Sequence, residues 1–189
     1  IRRTIYNFVD TARFQPNPEM YITMRKRLGL KPDTMLVGCV GRLSEHKRPL
    51  YSLDVFARIV QQHPNVHVLF VGEGSLRNEL RQYVTRLDLT DRVTILPFSD
   101  TPEHVFPALD VHVLLSSVEG FGIATIEALA SCVPVVATRV PGSEEVVQHG
   151  QTGFLVDKDN LDDATSRIVQ LLNDPELRRS MGEAGRNDC

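Results

Sequence analysis

Two acidic residues stand with seven residues between them in the stretch Ser116-Ser117-Val118-Glu119-Gly120-Phe121-Gly122-Ile123-Ala124-Thr125-Ile126-Glu127. Glu119 lies in a glycine-rich loop after an apolar, strand-like run. Glu127 falls about one turn into a helical pattern. A loop at a strand's carboxyl end and the first turn of the next helix open on one crevice, with free helix-terminal amides between them. Ionised carboxylates accept paired hydrogen bonds, which suits vicinal hydroxyls. On spacing alone, an ordinary loop acid and an ordinary helix acid account for the pattern as well.

A second candidate is Gly41-Arg42-Leu43-Ser44-Glu45-His46-Lys47-Arg48-Pro49. Glycine lets the backbone approach a ligand closely. Arg42 and Lys47 place two cations just before a helix start, an arrangement that suits a phosphate or diphosphate. A solvated basic loop is the alternative. A third stretch, Gly72-Glu73-Gly74-Ser75, begins like a dinucleotide fingerprint but has no third glycine, with Arg77 and Asn78 following. It reads as a tight strand-to-helix turn. His63, His67, His104, His112 and His149 show no metal-ligand spacing, so no metal site is expected; His46 shares the basic loop. Cys39, Cys132 and Cys189 are far apart and odd in number, which reads as reduced, mostly buried thiols.

The elements that must position these residues alternate in type. Met35–Val40, Val66–Val71, Val93–Leu96, Val111–Leu115 and Val133–Ala137 are short apolar runs rich in β-branched residues. Pro49–Gln62, residues 76–87, Ile123–Ala130, Ser143–Gln148, Leu161–Leu172 and residues 175–186 carry helical periodicity. Such alternation predicts a doubly wound, mostly parallel, Rossmann-like α/β sheet, with chemistry at the strands' carboxyl ends. Residues 1–34 read separately: a strand-like piece at Thr4–Asn7, a turn-rich connector through Phe14 and Pro16, then a helix carrying Met20, Met24 and Leu28 beside Arg25-Lys26-Arg27. With 189 residues, net charge −3 and 6% aromatics, nothing points to nucleic acid. The longest apolar stretches are too short to span a bilayer.

Several stretches in order resemble glycosyltransferase family 4, whose members have the GT-B architecture. Glu119 to Glu127 resembles its EX7E motif, and the EALASCVPVVAT that follows resembles EAxAxGxPVVA. Gly41-Arg42-Leu43 with Lys47 resembles the GRLxxxK loop, and Gly142–Val147 and Gly150–Val156 resemble GxxExV and GxTGxLV. Ile5–Asp10 with Phe14 and Pro16 resembles VIxNGVDxxxFxP. Two positions depart: Cys132 and Phe8 stand where the family has glycine.

The resemblance implies a retaining enzyme that moves a sugar from a nucleotide-diphosphate donor, UDP- or GDP-linked, to a hydroxyl. Arg42 and Lys47 would neutralise the diphosphate as the glycosidic bond loosens. Glu119 would bind hydroxyls of the sugar, and the backbone of Gly41, Gly120, Phe121, Gly122 and Ile123 would contact sugar or phosphate. Glu127 would hold the ribose, and Phe98 with its neighbours would meet the base. Arg42, Lys47 and Glu119 would carry the catalysis, with no cofactor, and loss of either cation should lower the rate more than it alters folding. The implied organisation is a connector and first helix over residues 1–34 and a donor domain over 35–189. An N-terminal domain ahead of Ile1 would bind the acceptor, a glycan, lipid or small molecule, so that residues 1–189 alone transfer little or no sugar. A cytoplasmic setting follows, with peripheral association at the inner membrane face where the acceptor is a lipid. A non-catalytic nucleotide-sugar-binding module is the competing reading; a nicotinamide-binding domain is disfavoured because the first strand leads into GRLSEHK rather than GxGxxG.

Overall fold

In a computed structural model, which describes residues 7–98 and 100–189, the apolar runs become six parallel strands. They are β1 (Met35–Val40), β2 (Val66–Val71), β3 (Val93–Leu96), β4 (Val111–Leu114), β5 (Val135–Thr138) and β6 (Gly153–Val156). The order is β3-β2-β1-β4-β5-β6. The winding therefore reverses between β1 and β4, and their outgoing loops diverge to leave a crevice. This is the doubly wound α/β fold expected from the sequence. The strand-like piece at Thr4-Ile5-Tyr6 lies outside the described residues.

Each face of the sheet is covered, which is why the strands read as continuous apolar runs rather than alternating ones. One layer is α2 (Pro49–Gln62), α3 (Arg77–Arg86) and α6 (Leu161–Asn173), whose Phe56, Leu80 and Ile168 meet Val37, Phe70 and Val113. Phe56 and Phe70 pack edge to face with centroids 5.6 Å apart. The other layer holds α1 (Pro18–Arg27), α4 (Ile123–Ala130) and α5 (Pro141–Glu144), with Phe14, Met24, Phe106 and Leu129 against Leu36, Leu69 and Val135. His112 on β4 is fully buried against Phe106, and burial drives its pKa down to about 3, so it is a neutral core residue.

Three elements differ from the sequence expectation. The helix expected at Ser143–Gln148 is instead α5, four residues long, because Pro141 opens it early and Val146 and Val147 turn into the core. The strand expected from Val133 starts at Val135, since Pro134 has no amide to give a neighbouring strand; its carbonyl accepts from His112 N at 3.0 Å. β6 was unexpected. Cys39 is buried as read, whereas Cys132 is half-buried and Cys189 exposed; all three are free. Cys132 has φ 59°, the left-handed conformation that explains glycine at this place in the resembling family.

The connector and last helix are fastened together. Arg186 on α7 (Pro175–Asn187) donates to the carbonyls of Phe14 at 2.9 Å, Thr11 at 3.1 Å and Ala130. Arg25 of the basic run is buried and pairs with Asp110 at 3.1 Å, leaving Lys26 and Arg27 exposed. Among the described residues, no helix is long and apolar enough to cross a membrane.

Candidate functional site

The crevice between the β1 and β4 loops is built on backbone contacts that forbid side chains. A Cβ on Gly72 would lie 1.9 Å from the Gly41 carbonyl oxygen. The turn after β2 can therefore press directly on the turn after β1, and Leu43 N donates to the Glu73 carbonyl at 2.8 Å. Gly72-Glu73-Gly74 is thus a strand-to-helix turn that buttresses the Arg42 loop. On the other side, a Cβ on Gly142 would lie 2.5 Å from the Glu119 carbonyl oxygen, so α5 backs the Glu119 loop. Gly142→Ala should push that loop outward and cost about 1–3 kcal/mol, as overpacking does. A thermal midpoint equal to the parent's would contradict this.

The two loops are also joined across the crevice. Ser117 N donates to the His46 carbonyl at 2.8 Å, in the 3-10 turn Glu45–Lys47. Next to that bond, the Lys47 ammonium donates to the Glu119 carboxylate, which also accepts from Ser116 Oγ at 3.3 Å. The Glu119 side chain is 9% exposed and that of Lys47 27%, so the pair is largely shielded from water. Arg42 is exposed and, among the described residues, has no ion-pair partner. Lys47 and Arg48 of this loop are thus paired, with Glu119 and Asp159, whereas Arg42 has no ion pair among the described residues.

A cleft of about 440 Å³ opens between the ends of β1 and β2 and the start of α4. Gly41, Arg42, Phe98, Ile123 and Glu127 line it, together with Glu73 and Pro102. Phe98 and Ile123 are 66% and 56% exposed, leaving apolar surface at the cleft wall. Gly122, with φ 84°, turns the chain into α4, whose first residues, Ile123 and Ala124, line the cleft. Gly120 is exposed on the loop, while Phe121 joins the apolar layer behind it and lines a separate hollow beside Phe8 and Val146. Glu127 faces the cleft from the first turns of α4. Burial pushes its carboxyl up to about 7; the Arg13 guanidinium opposes the shift and Glu103 adds to it.

The structure thus gathers Gly41, Arg42, Phe98, Ile123 and Glu127 in one cleft; Lys47 and Glu119 do not line it and are paired with each other between the two loops. Arg13, Glu103 and Gly142 were not read from the sequence as parts of the site. Arg13 sits between two residues of the connector motif, Asp10 and Phe14, which was the available signal. Among the described residues no cluster of three or more metal-ligating side chains occurs.

The model of the family described as glycosyl transferases group 1 matches residues 21–188. The chain belongs to that family. Its curated relatives in the group 1 family include the N-acetyl-alpha-D-glucosaminyl L-malate synthase of Bacillus anthracis, 34% identical over 184 residues, covering 97% of this chain and 48% of the relative. The GDP-mannose-dependent alpha-(1-6)-phosphatidylinositol monomannoside mannosyltransferase of Mycolicibacterium smegmatis is 34% identical over 189 residues, covering 95% and 49%. Among solved structures, Anabaena HepE in complex with UDP-glucose superposes with a TM-score of 0.90 at 28% identity, covering 98% of this chain and 52% of that one. This group 1 domain therefore spans about half the length of the curated relatives it matches.

Proposed function

We propose that this domain is the donor-binding half of a retaining, two-domain sugar transferase of glycosyltransferase family 4 and GT-B architecture. The observation that carries the reading is one cleft, lined by Arg42 from the loop after β1 and by a half-buried Glu127 from α4, whose two flanking loops are tied together by the shielded Lys47–Glu119 pair. A nucleotide-diphosphate sugar presents matching groups in the same order. Its base lies by Phe98, its ribose hydroxyls on Glu127, its diphosphate under Arg42, Lys47 and the α4 amides, and its sugar on Glu119. As the glycosidic bond loosens, negative charge gathers on the leaving diphosphate. Fixed cations and amides stabilise that charge without reorganising, which is how such sites lower barriers.

A UDP- or GDP-linked donor is supported by relatives that use GDP-mannose or were solved with UDP-glucose. The acceptor, whether a glycan, a lipid or a small molecule, meets the sugar through an N-terminal domain, so residues 1–189 bind donor but transfer little. The parent works in the cytoplasm, at the inner membrane face where the acceptor is a lipid. No part is assigned to a cofactor.

Thermal shift with UDP, GDP, ADP and NAD tests the reading. A nucleoside diphosphate at about one hundred times its Kd adds roughly 2.7 kcal/mol of stability. Glu127→Ala removes that gain for UDP or GDP; Glu119→Ala reduces the ligand-induced gain mainly when the sugar is attached. A response to NAD alone would sink the assignment.

A further inference from the structure

The ion pair between the two loops leaves one oxygen of Glu119 unused. Lys47 Nζ and Ser116 Oγ both donate to Oε2, and among the described residues Oε1 accepts no hydrogen bond. A buried hydroxyl stands close by. Thr125, on the first turn of α4, has no exposed surface, and its Oγ1 has no hydrogen-bond partner among the described residues. A threonine on a helix commonly donates to the carbonyl four residues back. For Thr125 that residue is Phe121, which lies ahead of the left-handed turn at Gly122. The hydroxyl flanks the same bare glycine as the Glu119 side chain. A Cβ on Gly122 would lie 3.2 Å from Thr125 Oγ1 and 3.5 Å from Glu119 Cγ. An unpaired buried hydroxyl weakens a fold, so one that stands this near a carboxylate needs a reason.

We infer that Thr125 is a positioning residue for Glu119: its hydroxyl donates to Oε1 once the carboxylate turns from Lys47 toward the sugar. The inference rests on the nucleotide-sugar reading and deepens it. If Lys47 serves the diphosphate and Glu119 the sugar, their mutual bond opens on binding, and the carboxylate must then be held by something else. Ser116, at 3.3 Å, holds one oxygen. Thr125 holds the other across the bare face of Gly122, where a side chain would crowd both partners. After accepting from two protein hydroxyls, an ionised carboxylate still has lone pairs for the vicinal hydroxyls of the sugar. Thr125 gives up no earlier partner to make this bond, so the whole of it counts toward the bound arrangement.

The test is calorimetric titration of this chain with UDP and GDP, and with UDP-glucose and GDP-mannose. Thr125→Val keeps nearly the same shape and removes the hydroxyl. It binds UDP and GDP as the parent does, while its affinity for the sugar nucleotide falls about tenfold. Without nucleotide its thermal midpoint equals or exceeds the parent's, because an unpaired buried hydroxyl is gone. Thr125→Ser restores the sugar-dependent affinity. With Glu119→Ala already present, Thr125→Val causes no further loss, as expected of two residues acting through one contact. An equal loss for diphosphates and sugar nucleotides, no loss for either, a thermal midpoint lowered by about 3 °C or more, or additive effects of Thr125→Val and Glu119→Ala would overturn the inference and leave the nucleotide site standing. So would a parent that binds UDP or GDP and gains nothing from either attached sugar. Failure of the parent chain to bind any of the four would overturn both.

Discussion

Lys47→Met lowers the thermal midpoint by about 5–10 °C. Removing the ammonium leaves the Glu119 carboxylate in place, 9% exposed and with a single Ser116 hydroxyl at 3.3 Å as its remaining partner. Breaking a fully buried ion pair from one side costs about 3–5 kcal/mol; with Lys47 still 27% exposed, a loss of about 2–3 kcal/mol is expected here. For a domain of this length each kcal/mol moves the midpoint by about 2–4 °C. Lys47→Met combined with Glu119→Gln should recover most of the loss, because the uncompensated charge is gone. Arg42→Ala, which breaks no ion pair among the described residues, should stay within about 0.5 kcal/mol of the parent and show itself in diphosphate binding instead. Scanning calorimetry of the three variants decides the matter, and equal midpoints for Lys47→Met and Arg42→Ala would refute it. The sequence alone led to the expectation that loss of either cation lowers the rate more than it alters folding; the Lys47–Glu119 pair divides the two cations, since it gives Lys47 a part in the fold that Arg42 lacks among the described residues.

The second large effect depends on pH. Burial raises the Glu127 pKa from the ordinary 4.5 to about 7. A carboxyl whose folded pKa lies above its unfolded one favours the folded state fully below about pH 4.5, and that contribution is lost as pH rises through about 7. The displacement corresponds to at most roughly 3 kcal/mol. Solvent screening of a half-exposed group reduces this to about 1 kcal/mol. Glu127→Gln, which cannot ionise, should therefore raise the midpoint by about 2–4 °C at pH 8 and by nothing near pH 4.5. The same substitution should abolish the stabilisation by UDP or GDP. A constant difference from pH 4.5 to 8 would show that ionisation of Glu127 is not what weakens the fold. Stability given up at a carboxylate that faces a cleft is the signature of a group kept for binding.

Much of this arrangement could be read in the chain before any coordinates. The helix at Ile123–Ala130 falls where its periodicity places it, and Glu127 lines the cleft beside it. What escaped has physical causes. β6 is four residues long, begins with glycine and follows Thr152 in what looks like a turn, so neither length nor β-branching marks it. The Lys47–Glu119 pair joins residues 72 positions apart. It exists because β1 and β4 are neighbours, and strand order is not written in local periodicity. The shift at Glu127 comes from its burial in the folded molecule, which no local pattern states, and Arg13, distant in the chain, only opposes it. Gly142 was visible as a motif residue, but its service as a flat backing for the Glu119 loop needed the contact itself.

The Arg186 clamp bears on how the molecule comes apart. Its hydrogen bond to Thr11 spans 175 residues, nearly the whole chain. Closing so long a loop is entropically unfavourable until the intervening sheet has formed, so these bonds belong to the last stage of folding. Interactions absent from the transition state leave the folding rate almost untouched and govern the rate of unfolding. Arg186 is therefore a latch on native lifetime: it slows the escape of α7 and the connector from the back of α4 for as long as it stays fastened.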